Sequence, residues 1–178
     1  MTATTTLARD AGADLGALPE WDLSDLYAAP DAPELARDTD WLGAECRTFA
    51  ADYEGKLAGL DAAGLLQAIR RWERIQSVSG RIMSYAGLRY YQNTTDPVRA
   101  KFFGDRQGEI TDLTTPLVFF TLELNRVDDA RLDALLAEDA ELGRYRPVLE
   151  RIRKMKPHQL SDELERFLHD QSVVGAAA

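Results

Sequence analysis

Between residues 61 and 91 the chain carries no proline, and its large apolar groups recur at helical steps. Leu65, Ile69, Trp72, Ile75, Val78 and Ile82 form one stripe, continued by Tyr85, Leu88 and Tyr91. That period predicts a single helix of about 30 residues, a rod ~45 Å long. A rod apolar along one side cannot bury its face alone, so other helices must lie along it. Asp61 can cap its start by accepting from the orphan amides of the first turn. Its far end, GRIMSYAGLRYYQNTTDP at 80–97, reads as the rest of the helix, a hydrogen-bonding turn and a restart. Asp96 followed by Pro97 is the restart signal, a cap and then a first-turn proline. Gly80 and Gly87 lie seven apart on one face, which predicts close approach of a neighbouring helix there.

The remaining segments supply partners of the same kind. A first helix is expected from 31–33, with Leu35, Leu42, Cys46, Phe49 and Tyr53 on one stripe and Gly55 and Gly59 punctuating its end. A third helix carries Val98, Phe102, Phe103, Ile110 and Leu113 until Pro116 breaks or kinks it, since proline removes an amide donor and crowds the preceding turn. The apolar run at 117–124 could be a strand in isolation, but with no second strand candidate a buried helix is expected. Asp128 caps a short helix with Leu132, Leu135 and Leu136. A basic helix with the stripe Leu142, Tyr145, Leu149 and Ile152 ends at Pro157, and Ser161 caps the last one. The fold class expected is all-α, long antiparallel helices with no substantial sheet. Residues 1–18 hold few large apolar groups and are expected to be a disordered tail. Order is expected over 19–178, opening with a turn at 21–27 pinned by Trp21, Leu26 and Tyr27. The closing Gly175-Ala176-Ala177-Ala178 has no cap-and-tail signature, and the expectation is a chain cut there.

Charge removes several function classes. A net charge of -9 disfavours non-specific nucleic-acid binding, which needs a basic surface to displace counterions. It equally disfavours an anionic membrane surface. The chain opens without the basic start and apolar run of a signal peptide, and no stretch reaches the ~20 apolar residues of a membrane span, so a cytoplasmic location is expected. Cys46 is the only cysteine, which forbids an intrachain disulfide and a thiolate cluster. One segment is basic: Arg144, Arg146, Arg151, Arg153, Lys154 and Lys156 oppose Glu150 alone. Such a segment is a solvated face, a set of partners for nearby carboxylates, or an anion site.

A search for chemistry returns no catalytic or metal-ligating residues. The histidines are His158 and His169, and neither belongs to a His-Glu-x-x-His pair. No Gly-x-Ser-x-Gly elbow, phosphate-cradling loop or dinucleotide fingerprint occurs. Tyr85, Tyr90 and Tyr91 are the remaining candidates: a patch for a peptide, or core rings whose hydroxyls turn to polar partners.

Three motifs, taken together, resemble the oligoendopeptidase F family of zinc metallopeptidases. They are Trp21-Asp22-Leu23-Ser24-Asp25-Leu26-Tyr27; Tyr85-Ala86-Gly87-Leu88-Arg89-Tyr90-Tyr91 with Asn93-Thr94-Thr95-Asp96-Pro97; and Arg153-Lys154-Met155-Lys156-Pro157-His158-Gln159-Leu160-Ser161 with Glu163 and Glu165. The third is the most specific. The resemblance implies the helical N-terminal lobe of a clam-like oligopeptidase over 19–178, truncated before the catalytic domain. In such relatives zinc, its His-Glu-x-x-His helix and a third, glutamate ligand lie downstream, so the resemblance places no zinc on this chain. The parent enzyme would hydrolyse short peptides, and these helices would wall a narrow channel, with Tyr85, Tyr90, Tyr91 and the basic helix as channel-facing candidates. The partner implied is the missing C-terminal catalytic portion of its own chain. The competing expectation is a free-standing helical interaction module without catalysis.

Overall fold

The computed structural model describes residues 21–174; the tail expected at 1–18 lies outside the described residues, as does the Gly-Ala end. Among the described residues there are helices and turns and no strand. The α1 helix, Pro33–Tyr53, begins with proline in its first turn and no side-chain cap. It buries Leu35, Leu42, Cys46, Phe49 and Tyr53 along the expected stripe. It ends at Gly55, whose φ of 77° lies in the left-handed region that glycine enters without penalty.

A 3-10 turn, Leu57–Gly59, leads into α2, Ala62–Gln92, a helix of 31 residues. Asp61 caps it, accepting from the Gly64 amide at 2.8 Å. Asn93 and Thr95 form the turn that follows, the Asn93 carboxamide oxygen accepting from the Thr95 amide and hydroxyl. Asp96 then accepts from the Val98 and Arg99 amides at the head of α3, Pro97–Thr114. Pro116 produces a 3-10 turn at Thr115–Leu117 before α4, Val118–Arg126. In α4 Phe119 and Phe120 are buried helix residues, as the lack of a partner strand implied.

The core sits where α1, α2 and α4 meet. Phe49 packs against Tyr53, Phe119 and Phe120 with centroids 4.8, 6.0 and 5.3 Å away, and Phe120 stacks on Trp72 at 5.4 Å. Leu42, Cys46, Ile75, Ile82 and Leu124 around them are fully buried. Arg71 closes the rim, its guanidinium over the Phe49 and Tyr53 rings and bonded to Glu45 at 2.8 Å and Asp52 at 2.7 Å. Burial pushes the Cys46 thiol up to about 11, so it is a packing group and not a reactive thiolate.

Three expectations need correction. Trp21 does not pin the opening turn: it is 62% exposed, and only its carbonyl is engaged, by Gln92. Tyr27 carries the anchoring, edge-on to Tyr85 at 5.4 Å, with its hydroxyl donating to Asp38 at 2.6 Å. Gly80 and Gly87 do not share a neighbour: a Cβ at Gly80 would meet open space, whereas at Gly87 it would lie 3.7 Å from Phe103. Finally, the basic helix is two. After α5, Asp129–Glu138, the chain forms α6, Ala140–Gly143, and then α7, Arg146–Arg153. Pro147 in the first turn of α7 explains the division, since a continuous helix would set its ring against the carbonyl four residues back. Leu142 and Leu149 from the two pieces are still buried, so the stripe survives the break. A last 3-10 turn, Lys156–His158, precedes α8, Asp162–Gln171.

Candidate functional surface

The three candidate tyrosines divide by depth. Tyr85 is 2% exposed and wedged edge-on between Tyr27 and Phe102, a core position. Tyr90 is half-buried and stacks on Phe103, rings 3° from parallel and 5.4 Å apart. Tyr91 is 64% exposed, tilted against Tyr90 and Phe103. An aromatic surface of Tyr90, Tyr91 and Phe103 thus stands at the junction of α2 and α3. A Cβ at Gly87 would touch the Phe103 and Tyr91 rings at 3.7 Å, an ordinary contact distance.

Half of the basic side chains, Arg144, Arg146 and Arg153, are paired with carboxylates of the fold, and only Arg153 is largely buried. Arg153, with its side chain 12% exposed, donates to the Leu124 carbonyl at 2.8 Å and the Val127 carbonyl at 2.7 Å, and pairs with Asp129. It thereby satisfies carbonyls that the end of α4 leaves without helical partners. The bond from Arg153 holds the Asp129 carboxyl below the usual carboxylate range. Arg146 pairs with Asp133 at 2.6 Å and Arg144 with Glu141 at 3.1 Å. A cleft of about 520 Å³ between α5 and α7 is lined by Arg146, Arg153, Lys154 and Lys156, but also by Asp129, Asp133 and Glu150. Its charges largely neutralise one another. Tyr145, between α6 and α7, donates to Glu73 at 2.7 Å, and that bond raises its own pKa.

Neither histidine converges with metal-binding partners. His158 lies in the last 3-10 turn, and the His169 Nε2 sits 3.3 Å from the Thr111 carbonyl and 3.4 Å from the Thr114 hydroxyl. Among the described residues no three His, Cys, Asp or Glu side chains group as a metal site would require. No helix among them is long and apolar enough to cross a membrane.

Sequence reasoning missed the surface around α8. Asp162 pairs with Arg126, Arg166 with Glu54 at 2.5 Å, and Thr115 donates to Asp170 at 2.9 Å. With His169 these residues attach the helix to the body. Leu164, Phe167 and Leu168, with Leu160 just before the helix, are 47–58% exposed. Beneath lies a pocket of about 320 Å³ whose wall includes Leu122, Asn125, Ile152, Met155 and Gln159. The amphipathic pattern of α8 was readable; which face pointed inward was not.

Comparison with known proteins follows this architecture. The family model described as Oligopeptidase F matches residues 123–178, the part that contains the Arg153–Ser161 motif. The oligopeptidase PepF of Bacillus subtilis (strain 168) is 28% identical over 123 residues, covering 68% of this chain and 18% of the relative. The crystal structure of oligoendopeptidase-F from Enterococcus faecium superposes with a TM-score of 0.72 at 22% identity, over 81% of this chain and 27% of that one. By sequence over residues 123–178 and by fold over most of its length, this helical chain is similar to the N-terminal region of the oligoendopeptidase F family. It spans well under a third of the length of either relative.

Proposed function

We propose that this chain is the N-terminal channel wall of a zinc-dependent, cytoplasmic endopeptidase that hydrolyses short oligopeptides. The reading rests on the match of residues 123–178 to the Oligopeptidase F family. In it, the region extends over 19–178 and ends before the catalytic domain, with no catalytic or metal role for its own residues. The described residues do not fit a zinc site, since their histidines engage backbone and threonine groups or stand apart in a turn. Zinc therefore belongs, on this reading, to polypeptide beyond this region. The contribution of the helices is steric: a rigid wall admits an extended peptide and rejects a folded protein. Tyr90 and Tyr91, beside Phe103, offer that peptide an aromatic surface, while Tyr85 stays in the core between Tyr27 and Phe102.

The test is cleavage of a quenched fluorescent oligopeptide by the full-length gene product, with its zinc content measured in parallel. About one zinc per chain and chelator-sensitive cleavage are expected, both absent from the 178-residue chain. A 178-residue chain that binds metal and cleaves would overturn the assignment. The second reading, a free-standing interaction module, is favoured by the exposed apolar residues of α8.

A further inference from the structure

The α8 helix is mounted the opposite way round from α1 and α2. Asp162, Arg166 and His169 recur at helical steps and point at the body, where they meet Arg126, Glu54, Thr111 and Thr114. Leu160, Leu164, Phe167 and Leu168 recur at the same steps and face outward at 47%, 50%, 58% and 51% exposure. A helix free to rotate would bury the second set, since each such side chain gains a few kcal/mol by leaving water. The observed orientation instead turns the Asp162 and Arg166 ion pairs and His169 toward the body. The apolar stripe is thus left in water, and Met155, 60% exposed, is a further uncovered apolar side chain in the turn before the helix.

A pocket between α4, α7 and the last 3-10 turn, with Glu165 of α8 on its wall, carries a second, independent signal. Asn125 in α4 is 4% exposed, yet its side-chain oxygen has no hydrogen-bond partner, and the Gln159 side-chain oxygen is buried and unpartnered too. Both residues line the pocket, together with Glu165. A buried acceptor without a donor is costly, and two beside one cavity specify what should fill it. The occupant should bring hydrogen-bond donors, and the Glu165 carboxylate, which also accepts from the Leu160 amide, favours a cationic one.

We propose that the outward face of α8 and this pocket form the docking seam for the polypeptide that follows this region in its longer relatives, and that a lysine or arginine of that polypeptide enters the pocket to reach Asn125 and Gln159. The proposal rests on the reading of the chain as a lobe of a longer peptidase. Length favours this occupant: the chain covers 18% of one relative and 27% of the other, and the remainder of such a protein is ample to cover the stripe. Position favours it as well. The helix is the last described element, so whatever follows is tethered beside the stripe at high effective concentration.

The test compares amide exchange of α8 in the full-length gene product and in the 178-residue chain. Protection of α8 should be on the order of tenfold greater in the full-length protein. Phe167→Ser combined with Leu164→Ser should abolish that excess, and because both side chains are already half exposed, neither change removes core packing. Asn125→Asp should preserve the excess if a cation occupies the pocket, whereas Asn125→Leu should reduce it. Equal protection in the two proteins overturns the proposal. So does a gene product that ends at residue 178, or protection in the 178-residue chain that rises with its own concentration, which would assign the stripe to a second copy. Excess protection without any peptide cleavage would leave the seam standing and remove the peptidase reading.

Discussion

The contact between α1 and α2 and the contact between α8 and the body are built on opposite principles. In the first, apolar stripes meet face to face around Phe49, and the charges, such as Arg71 with Glu45 and Asp52, close the rim. In the second, charges make the contact and the apolar stripe is left outside. Burial of apolar area supplies large, non-directional stabilisation, while exposed ion pairs contribute little but fix orientation. One contact makes the fold; the other sets the angle at which a surface is presented.

The largest effect that separates them is in the core. Phe49→Ala removes a fully buried ring packed against three others and should cost about 3–5 kcal/mol, read by denaturant unfolding of the whole chain. A loss below ~1 kcal/mol would mean that the α1–α2–α4 centre is not the stabilising core.

An intermediate effect is expected at Arg153, which ties α7 to the end of α4. Arg153→Ala removes donors to the Leu124 and Val127 carbonyls and should cost about 2–3 kcal/mol, with enhanced exchange at the end of α4. A surface substitution such as Arg144→Ala should leave stability nearly unchanged, because its ion pair is exposed.

The smallest effect is an acid response confined to the periphery. The bond from Arg126 holds the Asp162 carboxyl below its ordinary value, so its stabilising contribution is present above about pH 4 and lost as pH falls through the lower folded value. On acidification α8 should loosen before the core unfolds, seen as helix loss by circular dichroism while the fluorescence of the partly buried Trp72, read in a chain with Trp21 and Trp41 replaced by Phe, is unchanged. Asp162→Asn should remove that early step. Simultaneous loss of both signals would show that α8 and the core form one cooperative unit.

Much of this architecture was legible in the chain because helix-forming information is local. The stripe from Leu65 to Ile82, the caps at Asp61, Asp96, Asp128 and Ser161 and the break at Pro116 are each decided within a few residues. Where reading failed, the deciding interaction came from far away in sequence or from a signal given too little weight. Trp21 lost the anchoring role because Tyr27 reached both Tyr85 and Asp38. The split of α6 from α7 was visible in Pro147, but the surviving stripe of Leu142 and Leu149 masked it.

The candidate surfaces were less legible, for a physical reason. Sequence names tyrosines and an amphipathic helix, but exposure belongs to the packed whole: Tyr85 is core and Tyr91 surface, six residues apart on one helix. By itself the sequence determined an all-helical chain, most of its helix boundaries and its family likeness, since periodicity, capping and motif order are properties of the linear chain. Only the tertiary structure decided that Arg153 would cap α4, that Asn125 would be left without a donor, and that α8 would turn its apolar side outward. Those outcomes depend on long-range ion pairs and carbonyls brought together by packing, which no local pattern encodes.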